Sequence, residues 1–236
     1  MLPTKLRWTM KWTAILALTT GVILRLPSLY GAEAPVTIAP PALDSPKAGG
    51  APQVAVLSGG CFWGVQGVFE HVRGVKQVLA GYAGGEKSTA RYDEVSSGNT
   101  GHAESVKITF NPAEISYGQL LQVYFSVAHD PTQLNRQSPD VGTQYRSSIF
   151  YADENQKRSA EAYIAQLNRS QAYSSPIVTR VDPLKGFYAA EDYHQDYLVH
   201  NPTSPYIAWN DLPKVENLKR TFPTLYMERP VLVGQR

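Results

Sequence analysis

Cysteine is almost absent: the 236 residues hold one, Cys61. A lone cysteine excludes an internal disulfide and any site built on paired thiolates. The five histidines, His71, His102, His129, His194 and His200, form no His-x-x-x-His pair, so metal-ligand spacing is missing too. There is no phosphate-binding loop and no dinucleotide fingerprint. Gly81 to Gly85 is glycine-rich but lacks the helix signal that should follow. No cofactor and no metal are expected. Long apolar runs are also missing: Trp12 to Leu26 is broken by Thr13, Thr19, Thr20 and Arg25, and is short for a membrane span. Nor is there a charge excess in the body of the chain. Four of the 22 basic residues lie before residue 35 against one of the 20 acids, which leaves 18 against 19. Nothing in that balance calls for nucleic acid or an anionic surface.

What is present divides the chain in three. Residues 1–34 resemble an export signal: Lys5, Arg7 and Lys11 precede the apolar stretch, and Ala32-Glu33-Ala34 is a small-x-small cleavage pattern. Pro35 is a poor residue after a cut, so an uncleaved N-terminal anchor is the alternative. Residues 35–53 are rich in Pro, Ala and Gly and read as a solvated linker. The folded unit is expected over 54–236, exported to a periplasmic or other extracytoplasmic space, soluble or tethered at its N-terminus, and monomeric.

Within that unit, Val54 to Leu57 is a short apolar run, then Gly59 and Gly60 allow a tight turn. Val65, Val68, Phe69 and Val72 follow at helical spacing, so Cys61 is placed where a strand turns into a helix. Unpaired N–H groups and the helix dipole favour a thiolate there, which predicts a lowered thiol pKa. A single cysteine is otherwise commonly a buried, inert one. Two preceding glycines and two following rings, Phe62 and Trp63, argue instead for a reactive thiol. A strand over His102 to Phe110 alternates, with Val106, Ile108 and Phe110 on one face. Glu104 shares that parity. It is either a desolvated acid of raised pKa or a strand-end carboxylate that turns to water.

Strands are also expected over Val75 to Tyr82, Gln144 to Tyr151 and Ile177 to Val181, with a surface loop over 86–101. Ser116 with Gln119 is a capping box for a helix through Ala128, and Asp153 with Gln156 opens another to about Asn168. The polar loop from Asp130 to Thr143 is long enough to be functional, and Asp140 and Tyr145 are its candidates for holding a polar atom. His71 is expected on the surface, and His194, between Asp192 and Asp196, on an exposed helix face. With five prolines after residue 201, the tail is expected to wrap the domain in extended form. Mixed helices and strands give an α+β class.

Four blocks then resemble one family. Gly59-Gly-Cys-Phe-Trp-Gly64, Gly101-His-Ala-Glu104, Gly142-Thr-Gln-Tyr-Arg146 and Ala190-Glu-Asp-Tyr-His-Gln195 are similar, in order, to motifs of the type A peptide methionine sulfoxide reductases. The resemblance covers about residues 54 to 225. It implies a ferredoxin-like α/β sandwich with a small mixed or antiparallel sheet, and reduction of the S epimer of methionine sulfoxide, free or in proteins. It implies Cys61 as nucleophile, Glu104 as proton donor, and Tyr92 and Tyr145 as hydrogen-bond donors to the departing oxygen. Phe62 and Trp63 would form the methyl pocket, and Asp140 would support its polar side. Many relatives carry further cysteines that resolve the sulfenic acid; this chain does not. An external thiol is therefore required, on a thioredoxin-like or glutaredoxin-like protein or a small molecule. Two readings from other classes compete: an exported cysteine hydrolase, which needs a histidine near the thiol, and a secreted binding module in which Cys61 is inert.

Overall fold

The computed structural model describes residues 33–44 and 49–234. The expected export signal, apart from Glu33 and Ala34, lies outside the described residues. Among the described residues no helix is long and apolar enough to cross a membrane.

The elements run β1 (Gln53–Ser58), α1 (Phe62–Glu70), β2 (Val75–Ala83), α2 (Tyr92–Val95), β3 (Ala103–Phe110), α3 (Tyr117–Val123), β4 (Arg136–Gln137), β5 (Asp140–Val141), β6 (Ser148–Tyr151), α4 (Glu154–Arg169), β7 (Arg180–Pro183), β8 (Phe187–Ala189), α5 (Tyr197–His200) and α6 (Leu212–Thr221). The α+β expectation holds. Six strands form one mixed sheet in the order β7-β6-β1-β3-β2-β8, with β6 and β7 parallel and the other neighbours antiparallel. In β3, Val106, Ile108 and Phe110 point into the main core with Leu57, Val68 and Phe69. Ala103, on the opposite parity, joins Val56, Ala83 and Phe150 in a small cluster on the other face. Each fully buried aliphatic or aromatic side chain contributes about 1.5–3 kcal/mol. Helix α1 is buried on nearly every side, only Trp63 being partly open, and it carries the polar Gln66 and Glu70 inside with its apolar residues.

Local signals explain the helix starts. Ser116 accepts from the Gln119 N–H while the Gln119 side chain returns to the Ser116 N–H, and the helix continues through a wide turn to Ala128. The Asp153 carboxylate accepts from the Asn155 and Gln156 N–H groups at 2.8 and 2.9 Å, opening the 16-residue α4.

Four expectations need correction. The tail is not extended throughout: Ile207–Asp211 and α6 are helical, because Pro213 occupies the first turn, where no N–H has a partner to lose. The loop over 86–101 contains α2, and the loop over 130–143 contains the β4–β5 hairpin. The third change concerns β6 and β7, which are shorter than expected and displaced toward their C-terminal ends. The fourth concerns the Pro/Ala/Gly stretch, which over Glu33–Asp44 is a docked strap instead of a solvated linker. The Val36 N–H donates to the Ser126 carbonyl at 2.9 Å, Gln122 to that of Ile38 at 3.0 Å, and Tyr163 to that of Ala39 at 2.8 Å. Asp44 accepts from the Gly118 N–H at 2.8 Å, and Ile38 is buried.

Candidate active site

Cys61 is the residue that opens α1, directly after β1 and the two glycines. Both glycines are needed. Gly60 has φ +89°, and a Cβ there would fall 2.7 Å from the Gln137 side chain; one on Gly59 would fall 2.7 Å from the His129 ring. The turn is also pinned by the Gly60 N–H, which donates to the Tyr145 carbonyl at 3.2 Å. That bond brings the Thr143–Tyr145 turn against the thiol.

The parity argument for Glu104 holds, and it does not turn to water. It is 3 % exposed, and its Oε2 accepts from the Phe62 N–H at 3.0 Å. The carboxyl therefore sits on the first free amide of α1 and is also hydrogen-bonded to the Cys61 thiol. Burial, with Asp140 and Asp211 nearby, outweighs these bonds and raises its pKa to about 8.

The thiol departs from expectation. Cys61 is 8 % exposed, and its pKa is raised, not lowered. Burial is the main cause, and Glu104, Asp211 and Asp140 add negative charge, while the Trp63 N–H on the sulfur offsets only part. A helix end supplies about half a charge; burial, helped by carboxyl groups from distant parts of the chain, outweighs it.

Around this pair stand partly exposed rings. Phe62, buried, lies 5.9 Å from the Tyr82 ring centroid and 5.1 Å from that of His194. Trp63 is stacked on Tyr197 at 3.9 Å, meets Tyr206 edge-on at 5.9 Å, and donates its indole N–H to His194 Nδ1 at 3.1 Å. Tyr92 is fixed by its N–H to Glu191 Oε1 at 3.0 Å, and the other Glu191 oxygen accepts from the Tyr82 hydroxyl at 2.8 Å. The hydroxyls of Tyr92 and Tyr145 both have raised pKa values, first from burial and then from Glu104; both also sense Cys61. Each stays a proton donor at neutral pH. Asp140, from β5, accepts from the Tyr206 hydroxyl, and burial raises its pKa. All seven residues singled out in the sequence thus surround one point.

Several neighbours were not read from the sequence. Asp211 is fully buried and accepts from Lys214 Nζ at 3.2 Å. The pair packs on Gly64, where any Cβ would collide with the Asp211 carboxylate. Burial raises the Asp211 pKa; it pulls that of Lys214 down, but Asp211 more than reverses this. Tyr206 and Glu191 were missed as well. His194 was expected exposed but is 2 % exposed, because Trp63, Phe62 and Tyr92 cover it. Burial lowers its pKa, its Nδ1 accepts from the indole, and its Nε2 is bonded to nothing among the described residues, the Cys61 thiol included. His71 is likewise buried, bonded to the Gly67 carbonyl and stacked on Tyr226. His129 lies behind Gly59, its Nε2 at 2.7 Å from Ser147 Oγ and its pKa pushed down by burial to about 3. No histidine serves the thiol as hydrolase chemistry requires. Among the described residues no cluster could hold a metal.

The family model described as peptide methionine sulfoxide reductase matches residues 53–225. The peptide methionine sulfoxide reductase MsrA 2 of Mesorhizobium japonicum is 60% identical over 187 residues, 79% of this chain and 96% of that protein. MsrA 2 of Synechocystis sp. is 53% identical over 168 residues, covering 71% and 78%. Among solved structures, methionine sulfoxide reductase A of Corynebacterium diphtheriae aligns with a TM-score of 0.57 at 33% identity, covering 75% of this chain and 89% of that one. Reduced Mxr1 of Saccharomyces cerevisiae aligns with a TM-score of 0.59 at 31% identity, covering 69% and 92%.

Proposed function

The chain belongs to the peptide methionine sulfoxide reductase family and reduces methionine sulfoxide, and we propose that it does so on the S epimer through Cys61 and Glu104. The observation that carries the reading is the meeting of one thiol with one buried, protonated carboxyl at the start of α1. Sulfoxide oxygen is a poor leaving group until it takes a proton, so an acid that holds its proton to about pH 8 is what the step needs. Cys61 attacks the sulfoxide sulfur, and its proton replaces the one that Glu104 gives to the oxygen. Glu104 protonates the oxygen. Tyr92 and Tyr145 donate hydrogen bonds to it as charge develops. Phe62 and Trp63 enclose the S-methyl group, and Asp140 with Tyr206 supports the polar side. The oxygen passes to the enzyme: thiol plus sulfoxide gives Cys61 sulfenic acid plus methionine. One external thiol then displaces water to give a mixed disulfide, and a second restores the Cys61 thiol.

The reductant is a thioredoxin-like or glutaredoxin-like protein or a small thiol, because the chain holds no second cysteine. The partly exposed rim of Trp63, Tyr92, Tyr145 and Tyr206 suits access by such a thiol. The inner strands β6-β1-β3-β2 and the helices between them are read as a ferredoxin-like arrangement; their order and antiparallel registers support this. The charged and apolar start of the chain supports export, with oxidised methionines of envelope or secreted proteins as substrates. Turnover of the two methionine sulfoxide epimers with different thiol donors tests the reaction. Equal rates on both epimers, or none on either, would refute it.

A further inference from the structure

Glu33 lies outside the matched family region, 53–225, yet it is tied into the site. It stands at the start of the strap, with its carbonyl accepting from Asn217 Nδ2 of α6 at 3.1 Å. Its carboxylate accepts from Gln137 Nε2 at 2.7 Å on both oxygens, and also from Gln133 Nε2. Neither glutamine can turn its amide round. Gln137 Oε1 is taken by the Asp130 N–H at 3.2 Å and Gln133 Oε1 by the Ser138 N–H at 3.0 Å. Both amides therefore present N–H groups to one point, and only an acceptor fits there. Gln137, 4 % exposed, is the residue that packs on Gly60 beside Cys61, and it is paired with Asp140 in the β4–β5 hairpin.

We propose that Glu33 is a positioning residue for the sulfoxide site: its carboxylate clamps the Asp130–Ser138 loop and so holds Asp140 and the Gly60 turn in register. Glu33 is delivered by the strap bonds nearest to it, the Val36 N–H to the Ser126 carbonyl and Asn217 to its own carbonyl. Burial and the facing Asp130 raise the Glu33 pKa, while Lys214 from α6 and the amides of Gln133 and Gln137 favour the carboxylate. A cut after Ala34 would remove the clamp and should raise KM as Glu33→Gln does.

The proposal rests on the sulfoxide reductase reading, and the test separates the two. In the full chain, Glu33→Gln places an amide against two donors. KM for methionine sulfoxide should rise roughly 3–10-fold, about the effect of one lost hydrogen bond, with kcat within twofold. Limited trypsin digestion at exposed Arg136, in the clamped hairpin, should quicken, a readout independent of activity. The double variant Glu33→Gln/Gln137→Glu restores one acceptor between donors and should recover both readouts. Asp44→Ala loosens the far end of the strap without touching the loop and should change neither. Unchanged KM and digestion in Glu33→Gln, no recovery in the double variant, or an equal KM effect from Asp44→Ala would overturn the clamp. A wild-type chain inactive on sulfoxide would sink the reductase reading, while digestion at Arg136 would still decide the clamp.

Discussion

Replacing Glu104 by Gln should make the protein slower and, at alkaline pH, more stable. The carboxyl is 3 % exposed and its pKa is about 8, against 4.5 for an ordinary glutamate. A folded-state pKa above the unfolded one means that the folded chain binds the proton more tightly. Below pH 4.5 both states hold it and there is no penalty. Between pH 4.5 and 8 the unfolded chain releases the proton and the folded chain keeps it, so stability falls as pH rises; above 8 the loss is constant. At 1.36 kcal/mol per pH unit the full penalty is about 5 kcal/mol, an upper figure because the site relaxes around the charge. Glutamine keeps an oxygen for the Phe62 N–H and never ionises. Denaturant melts should therefore show Glu104→Gln level with the parent at pH 4.5 and roughly 2–5 kcal/mol more stable at pH 9. Its single-turnover rate should drop roughly 10²–10⁴-fold, the range for a lost general acid, and should lose the decline that the parent shows above pH 8. A stability difference that does not change with pH would refute the desolvation account. An unchanged single-turnover rate would show that the proton comes from elsewhere.

Three further outcomes are expected. Cys61→Ser should abolish reduction; the parent, given sulfoxide without reductant, should release one methionine, form no disulfide, and carry one dimedone-reactive sulfenic acid by mass spectrometry. Gly64→Ala should force its Cβ into Asp211 and destabilise by roughly 1–3 kcal/mol in denaturant melts, the range for an overpacked core. Burial holds His129 neutral to about pH 3, so its stability contribution is lost as pH falls from 6.5 toward 3. Acid melts of His129→Gln should lack that part of the slope, at most about 5 kcal/mol.

The parts of this site that lay in short stretches of chain were legible beforehand. Glycines before Cys61 signalled the turn, rings after it signalled an apolar wall, and alternation in β3 placed Glu104 inside. The capping residues Ser116 and Asp153 marked two helix starts from four residues each. What failed depended on neighbours far away in sequence. The thiol was expected to be acidic because only the helix end was counted; Asp140 and Asp211 arrive from β5 and from the turn before α6. His194 looked exposed between two aspartates until Trp63 and Phe62 covered it. Proline misled twice. In the tail it sits where a helix tolerates it, and in the strap the same composition serves a docked extended segment as well as a free linker.

A thiol that keeps its proton at rest changes how a one-cysteine enzyme can work. A thiolate at rest would be the reactive form toward peroxide as well as toward substrate, and no second cysteine stands by to rescue it. Here Cys61 and Glu104 both keep their protons, for the same main reason: each is buried, and nearby Asp211 and Asp140 raise both pKa values further. The resting site is therefore nearly neutral and poorly nucleophilic. A sulfoxide brings the one feature a peroxide-exposed thiol should wait for, an oxygen seated among two tyrosine hydroxyls and an acid while its sulfur faces the thiol. Proton transfer to that oxygen makes the sulfoxide sulfur electrophilic and leaves a Glu104 carboxylate that can take the thiol proton as Cys61 attacks. The burial that makes Cys61 sluggish thus leaves its activation to the substrate, whose oxygen must take the Glu104 proton before that carboxylate can accept the thiol's, and this protects a sulfur that has no partner of its own.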